Sequence, residues 1–301
     1  MSAERSCAMA FTVTEGVLVS CEGSGETVVI PEGVREIKNG VFYKNSAIKK
    51  MIIPEGVESI GTCAFYFCEN LESVSLPGSL TELGRDVFAG CRSLERIRLP
   101  ENITEIPDET FASCSVLRHI GFPERLETIG KRAFSGCSSL EEVILPGSLR
   151  LIREGAFQGC ENLKRVEIPD NTLEIMKSAF SGCGSLEEII LGENTKYLGE
   201  YAFRDCGSLS SVSVRAGFTS VRYNSFEGCG NSFRVIFEGK SYTVRENMET
   251  DGIPYAVCCF SHSFGIRHTD SATYTPLTFP AGYPYMDEFE YLSTGGEEDD
   301  G

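Results

Sequence analysis

The sequence predicts an α/β-type repeat solenoid of nine 23-residue copies over residues 31–237. A segment of 23 residues is too short to bury a core alone, whereas identical copies can bury one by stacking. Phenylalanine recurs at steps of 23, with no insertion or deletion, at Phe42, Phe65, Phe88, Phe111, Phe134, Phe157, Phe180, Phe203 and Phe226. Cysteine follows three residues behind in eight copies, at Cys68, Cys91, Cys114, Cys137, Cys160, Cys183, Cys206 and Cys229.

Each copy is expected to contain one short strand and one short helical segment. Apolar residues alternate in the second copy at Leu71, Val74 and Leu76, which indicates a strand with one face directed inward. Equivalent strands of successive copies then lie side by side in a parallel sheet, and the proline that follows most of them ends the ladder. Phe65 and Cys68 fall within one turn, which favours a short α-helical or 3₁₀ piece on the opposite side.

The two ends of the repeat array need caps, because a terminal coil would otherwise leave its core open. Residues 1–30 alternate in hydropathy around a Glu-Gly turn signal, which predicts an N-terminal β-hairpin cap. Residues 238–292 are expected to hold a C-terminal cap with a hairpin turn, followed by an irregular segment with prolines and aromatic residues. Residues 293–301 are acidic and are expected to be disordered.

The consensus of the copies is P-x-x-ϕ-x-x-I-G-x-x-A-F-x-x-C-x-x-L-x-x-V-x-L, where ϕ is usually apolar. This pattern resembles the BspA-like leucine-rich repeat family, and the resemblance covers residues 31–237. It implies a curved, right-handed leucine-rich repeat coil with a parallel sheet on the concave face and short helical or 3₁₀ turns opposite. Many members of that family lie on bacterial or protozoan surfaces and bind host proteins. The resemblance therefore implies a binding scaffold, but it does not identify a partner.

Charge and hydropathy disfavour several classes of function. The net charge of −17 disfavours nucleic-acid binding, which needs a basic surface. Residues 246–301 hold eleven Asp and Glu against one Arg, a net of −10, so the remainder is only mildly acidic. The chain has no run of about 18 apolar residues, so membrane insertion is not expected. The N-terminus shows no secretory signal, which predicts a cytoplasmic protein; the alternative is a secreted or cell-surface protein, if the N-terminus is truncated or export is non-classical.

The thirteen cysteines favour a structural interpretation over a metal or catalytic one. We expect the cysteine column to consist of small buried thiols packed against the phenylalanine column. Side chains on parallel rungs point the same way, so they neither converge on a metal nor pair as disulfides. The local group Cys258-Cys259-x-x-His262, with His268 beyond it, is a weaker metal hypothesis than packing of the tail. No nucleophile elbow, P-loop or dinucleotide motif occurs, so we expect no catalytic residues, no metal and no cofactor.

The outward positions of the strands vary from copy to copy while the Phe and Cys columns do not. Basic residues gather in the early-middle copies and glutamates in the later ones, which predicts a bipolar face that docks a charged protein partner. The alternative is that opposite charges on neighbouring strands support one another, as Lys49–Glu72 and Glu141–Lys164 would. The predicted partner-binding residues, with Ile144 and Ile190 as exposed apolar positions, are Lys50, Arg96, Arg98, Arg118, His119, Glu142, Ile144, Arg165, Glu167, Glu188 and Ile190.

The leading hypothesis is a non-enzymatic, monomeric scaffold that binds an unidentified protein partner on the concave strand face. The first alternative is an adhesin-like surface module that binds host or matrix proteins, which requires export. Two further alternatives are a passive structural protein and an enzyme or metal protein built on residues 246–292.

Overall fold

The computed structural model describes residues 9–23, 25–215, 218, 220–222, 224–229 and 233–243. Throughout that part of the chain every regular element is a β-strand, and most of the strands stack in two columns of short parallel rungs. The Cys258–His262 group, the irregular segment and the acidic tail lie outside the described residues, so the sequence predictions for them stay predictions.

The first strand stack contains one strand of three or four residues from most coils. Paired residues are 23 positions apart and run in parallel, as Lys50 and Ser73 or Arg165 and Glu188 do. The predicted parallel pairing of successive copies is therefore confirmed. The strands of this stack are β3 (Thr27–Val29), β5 (Lys50–Ile52), β7 (Ser73–Ser75), β9 (Arg96–Arg98), β11 (His119–Gly121), β14 (Arg165–Glu167), β16 (Glu188–Ile190), β18 (Ser211–Val214) and β20 (Arg234–Phe237). The ladder is interrupted between β7 and β9 and again after β11.

A second strand stack, which the sequence analysis did not predict, forms another side of each coil. Its rungs have two residues, and the same 23-residue register joins Glu36 to Ser59 and Ile37 to Ile60. The second residue of the rung is buried in most coils, so this stack carries a column of Ile and Leu into the core. Its strands are β4 (Glu36–Ile37), β6 (Ser59–Ile60), β8 (Glu82–Leu83), β10 (Glu105–Ile106), β12 (Thr128–Ile129), β13 (Leu151–Ile152), β15 (Glu174–Ile175), β17 (Tyr197–Leu198) and β19 (Ser220–Val221).

Antiparallel hairpins flank the stacks. β1 (Ala10–Thr14) and β2 (Val17–Glu22) are joined by a two-residue turn, and β2 pairs in parallel with β4. β3 falls inside the segment that the sequence analysis assigned to the cap, yet it pairs in parallel with β5 and is a member of the first stack. At the other end β20 turns back into β21 (Lys240–Thr243) as an antiparallel pair.

The third side of each coil is a run of consecutive turns, which we call the turn arc: residues 39–44 in the first copy, 62–67 in the second, and their equivalents. The helical or 3₁₀ segment predicted here is wrong. Alternate N–H groups of the arc leave their own coil and donate to the next, as Phe42 does to the carbonyl of Ala64 at 2.9 Å. These donors are then unavailable for the i→i−4 bonds of a helix.

The backbone conformation of the arc also excludes a right-handed helix. Two positions in each arc have positive φ, as at Cys63 (56°) and Phe67 (54°), and such left-handed residues do not occur inside an α-helix. In each copy that has the column cysteine, the second of these positions comes immediately before that cysteine, as Phe67 does before Cys68. The glycine that recurs there is the sequence signal for a left-handed turn, and it occupies Gly90, Gly136, Gly159, Gly182 and Gly228.

The core contains a stack of the nine column phenylalanines. Every ring is at most 1% exposed. Neighbouring ring centroids lie 5.1–5.5 Å apart, and the ring planes are within 3–14° of parallel. This spacing is close to the strand spacing of about 4.8 Å, so one ring per coil fills the interior. Burial of each ring contributes about 1.5–3 kcal/mol to folding.

The cysteine column lies beside the phenylalanine stack, and each of its thiols donates a hydrogen bond. Cys68 Sγ donates to the carbonyl of Phe42 in the preceding coil at 3.1 Å, and the other seven repeat this contact at 3.1–3.3 Å. Burial raises the pKa of Cys68 and of Cys114 to about 12, and it also raises the pKa of Cys91, Cys137, Cys160, Cys183 and Cys229. The thiols are therefore packing groups that also satisfy an inward carbonyl, and not nucleophiles.

One proline interrupts the second stack. Gly84 and Gly130 donate their N–H to Ile60 and Ile106 of the preceding coil at 2.7 and 2.8 Å. Pro107 occupies the equivalent position and has no N–H to donate, which accounts for the separation of β8 from β10. The turn arc stays hydrogen-bonded across the same junction, where Phe88 N–H donates to the carbonyl of Thr110 at 2.9 Å.

Replacing one ring in the middle of the stack should strongly destabilise the protein. We expect Phe157→Ala to lower the free energy of unfolding by about 3–5 kcal/mol, because a fully buried ring is removed and both neighbouring rings lose a stacking partner. Urea denaturation followed by circular dichroism measures the change. The matched control is Gln158→Ala, the adjacent exposed position, which should change the free energy by less than about 0.5 kcal/mol. Equal effects of the two variants would refute the central role of the stack.

The stability of the protein should fall at alkaline pH. A thiol titrates near its ordinary value of 9.0 when the chain unfolds, but its pKa is raised in the folded state. The unfolded state then loses protons first. The contribution of these thiols to the free energy of unfolding is therefore fully present below about pH 9. It is lost as pH rises towards 12, by about 1.4 kcal/mol per pH unit for each buried thiol.

A variant that lacks three buried thiols tests this linkage under reducing conditions. Cys114→Ala, Cys137→Ala and Cys160→Ala together should lower stability at neutral pH. They should also reduce the slope of unfolding free energy against pH between about pH 9 and 11 by about 4 kcal/mol per pH unit. An unchanged slope would show that burial of the thiols does not control the alkaline limit.

Candidate functional site

The first strand stack brings ten of the eleven predicted binding residues into two adjacent outward rows, and Arg118 lies beside them, one residue before His119. Arg96 and His119 are directly paired, as are Arg98 and Gly121. Glu142 forms an isolated bridge to Arg165, and β14 then continues the rows into β16. The residue between the two rows points inward and is buried in most coils. Strand periodicity and the 23-residue register are enough to produce this arrangement.

Most of the eleven predicted side chains are exposed, and two are not. Ile144 is 80% exposed, because its preceding neighbour in the row is Gly121, which has no side chain. Ile190 was expected to be exposed and is half-buried, since it pairs with Glu167 on one side and Ser213 on the other. Glu188 is also half-buried. The exposed residues are Lys50, Arg96, Arg98, Arg118, His119, Glu142, Ile144, Arg165 and Glu167.

Ion pairs between neighbouring coils are frequent, and three of them, Lys49–Glu26, Arg118–Glu141 and Lys164–Glu141, lie directly beside the rows. Of the eleven ion pairs found among the described residues, nine join side chains 23 positions apart. The expected pair Glu141–Lys164 forms at 3.3 Å. The expected pair Lys49–Glu72 does not, since Lys49 pairs with Glu26 of the preceding coil at 2.6 Å. The hydrogen bond and charge of Glu26 raise the pKa of Lys49.

Unlike the ion-paired residues beside them, the charged residues of the two outward rows make few ion pairs. Arg98 pairs only with Glu101, three residues along its own coil, at 3.4 Å, and its side chain is 82% exposed. The structure thus leaves most of the charge on this face without an ionic partner. Within the described ranges, no ion pair includes Lys50, Arg96, His119, Glu142, Arg165, Glu167 or Glu188.

A small polar cavity of about 200 Å³ lies at one edge of this face. Arg118 and Lys164 approach Glu141 from neighbouring coils at 3.6 and 3.3 Å, and Ser139 and Asn162 complete the lining. Two cations lie against one carboxylate, so the lining keeps a net positive charge beside its neutral polar groups.

Other carboxylates with shifted pKa values have structural roles. Glu55 accepts hydrogen bonds from the N–H groups of Gly78 and Ser79 in the next coil, which lowers its pKa. Partial burial, with the charge of Glu109 nearby, raises the pKa of Asp86. Neither carboxylate belongs to a wider group of metal ligands, because the described part of the chain contains no cluster of three His, Cys, Asp or Glu side chains suited to a metal. Nor does that part contain a helix that could span a bilayer.

Sequence reasoning missed an aromatic row on the turn arc. The rings of Tyr43 and Tyr66 stack at 5.2 Å, and Phe67 packs beside Tyr66 at 4.6 Å. The position of Tyr66 is Ala, Ser or Gln in later copies up to residue 181, and the position of Phe67 is Gly, Ser or Asp in later copies up to residue 228. This change of residue size within an otherwise regular repeat is the signal that indicates the row.

Comparison with known proteins places these features in a family. A family model described as "BspA type Leucine rich repeat region (6 copies)" matches residues 19–141 and 127–248. A leucine-rich repeat protein from Bacteroides ovatus is similar at 26% identity and a TM-score of 0.61, over 78% of this chain and 70% of that one. A leucine-rich repeat protein from T. pallidum has 28% identity and a TM-score of 0.47, over 69% and 90% of the two chains.

The pneumococcal vaccine antigen PcpA has 21% identity and a TM-score of 0.38, over 72% of this chain and 75% of that one. No curated protein matches the chain. The family model covers well over half of the sequence, and the repeat, the parallel strand stacks and the buried Cys column agree with it. The chain belongs to the BspA-type leucine-rich repeat family.

Proposed function

We propose that this protein is a non-enzymatic scaffold that binds a protein partner on the outward rows of its first strand stack. Proteins of this family typically serve as protein-interaction or surface modules, and they are generally not enzymes. The repeated frame supports this use, because nine coils present many variable outward positions on one fixed core.

The observation that carries the proposal is the contrast between paired and unpaired charges. Directly beside the rows, Lys49, Arg118 and Lys164 are neutralised by glutamates of neighbouring coils, whereas Arg96, Glu142 and Arg165 on the rows take part in no ion pair among the described residues. Cross-strand neighbours of opposite sign on these rows, such as Arg165 beside Glu142 and Glu188, contribute little to stability because most of these side chains are exposed. They are available to a partner, for which they set orientation and the rate of association.

The charges and exposed groups of this face specify the chemistry of the partner. Carboxylates on the partner would meet Arg96, Arg98 and His119, and cations would meet Glu142 and the later glutamates. An apolar side chain would cover Ile144, whose 80% exposure is unusual for a branched aliphatic residue. The proposed partner is therefore a protein surface whose acidic groups face the basic residues of the early-middle coils and whose basic groups face the glutamates of the later coils.

The compartment in which this binding occurs remains a prediction. A cytoplasmic location follows from the sequence analysis, and a cell-surface module that binds host or matrix proteins is the alternative. Fractionation of the native cells, with the protein detected by antibody, distinguishes the two, because an adhesin must be found in the surface or secreted fraction.

A charge-reversed variant tests the proposed face. We expect Arg96→Glu, Arg98→Glu and Glu142→Lys together to reduce capture of the partner from the native source by about tenfold or more, because each change opposes the complementary charge. Pull-down with the intact protein and the variant, followed by mass spectrometry, measures the loss. Both proteins must first show the same thermal unfolding.

The control variant carries the same change of net charge elsewhere. Arg132→Glu, Arg153→Glu and Glu174→Lys reverse exposed charges on the turn arc and near the second stack, and they should leave capture unchanged. A partner that both variants retain, or both lose, would remove the first strand stack as the binding face. Loss of stability without loss of a partner in the first variant would instead assign its charges to the fold.

A further inference from the structure

The aromatic row on the turn arc is a second outward feature, on a different side of the coil from the first strand stack. Tyr43 is 48% exposed, and Tyr66 and Phe67 are half-buried. All three side chains point away from the core, which the phenylalanine stack already fills. Packing of the interior therefore does not account for them.

Phe67 adopts a backbone conformation that disfavours a bulky residue. Its φ is +54°, and the same position is glycine in five other copies. A left-handed conformation costs an aromatic residue of the order of 1–2 kcal/mol compared with glycine. The chain therefore places a large apolar side chain outside the core at a position where the fold favours glycine.

Cations lie at both ends of the row. Lys44 Nζ lies over the Tyr43 ring, 5.1 Å from its centroid, and Arg92 Cζ lies over the Phe67 ring at 5.6 Å. Arg92 also contacts Glu69 at 3.5 Å, but its side chain remains 56% exposed. The result is a band of three rings with the Lys44 ammonium at one end and, at the other, the half-exposed guanidinium of Arg92, which shares its charge with Glu69.

We propose that this band binds an extended peptide segment of a partner protein that carries apolar side chains between two acidic ones. The carboxylates would meet Lys44 and Arg92, and the apolar side chains would cover the exposed edges of the rings. The band crosses three coils, which corresponds to a segment of about four to six residues at strand spacing.

The contacts of the rings favour an acidic peptide over other occupants. Tyr66 stacks on Tyr43, and Phe67 packs at a tilt against Tyr66. The exposed ring surface that is left lies beside two cations, which favours a ligand that carries carboxylates next to apolar groups. The net charge of −17 further disfavours a nucleic acid.

A displayed library of random hexapeptides is the probe for this site. It is selected against the intact protein, and the selected peptides are then measured by fluorescence polarisation. The test variant carries Tyr43→Ser, Tyr66→Ala and Phe67→Gly, which copies the residues found at Ser135, Ala89 and Gly90 in equivalent positions of this same chain. Because these residues already occur in the repeat, the variant should fold.

We expect enriched peptides with acidic residues flanking apolar ones, and about tenfold or more weaker binding to the variant. Phe67→Gly alone should keep or raise the melting temperature, because it relieves the left-handed strain. The matched control Gln158→Ala, at the position equivalent to Tyr43, should leave peptide binding unchanged. Arg96→Glu with Arg98→Glu should also leave it unchanged, which separates this site from the one on the strand face.

Three results would overturn the inference. The first is a selection that enriches no peptide, or enriches peptides without acidic residues. The second is equal binding to the intact protein and to the triple variant. The third is a marked fall in melting temperature for Phe67→Gly, which would make the aromatic row a structural element of the arc.

Discussion

The stacking of one buried phenylalanine ring per coil is the contact on which the rest of the molecule depends. The rings lie 5.1–5.5 Å apart, nearly parallel, and every one is buried. A ring in each coil fixes the distance between coils and the 23-residue register that both strand stacks share. Without that register the outward residues would not line up in rows. The outward rows therefore depend on the stacking of phenylalanine rings in the core, although their side chains do not contact those rings.

The turn arc keeps neighbouring coils hydrogen-bonded where the strand ladder is interrupted. Its alternate N–H groups bond to the next coil, and each thiol of the cysteine column donates to a phenylalanine carbonyl in the coil before. These bonds continue past Pro107, where the second strand stack separates. The arc requires two left-handed residues per coil, and the thiols must stay protonated to donate. Both requirements limit which residues the repeat accepts at those positions.

Equivalent positions of the nine copies can be compared with one another, which separates residues that serve the fold from residues that vary at the surface. Positions that serve the fold keep their residue type in most coils, as the Phe column does in nine and the Cys column in eight, so a departure at one coil invites a separate explanation. Pro107 explains a break in hydrogen bonding, and Gly121 explains the exposure of Ile144. The charges of the outward rows and the ring of Phe67 have no such cause within the fold. These two departures are the basis of the two proposed binding surfaces, which lie on different sides of the coil.

The sequence by itself determined the family, the period, the parallel pairing and the buried Phe and Cys columns, because each follows from a pattern that repeats at a fixed spacing. It also placed the outward rows, since strand periodicity fixes which residues face away from the core. The tertiary structure alone decided what depends on contacts between coils. It replaced the expected helical turn with an arc whose N–H groups bond outward, and it added a second strand stack. The structure also shows that Lys49 pairs with Glu26 and that Ile190 is half-buried. Side-chain pairing and exposure depend on neighbours 23 residues away, and the periodicity within one copy does not contain that information.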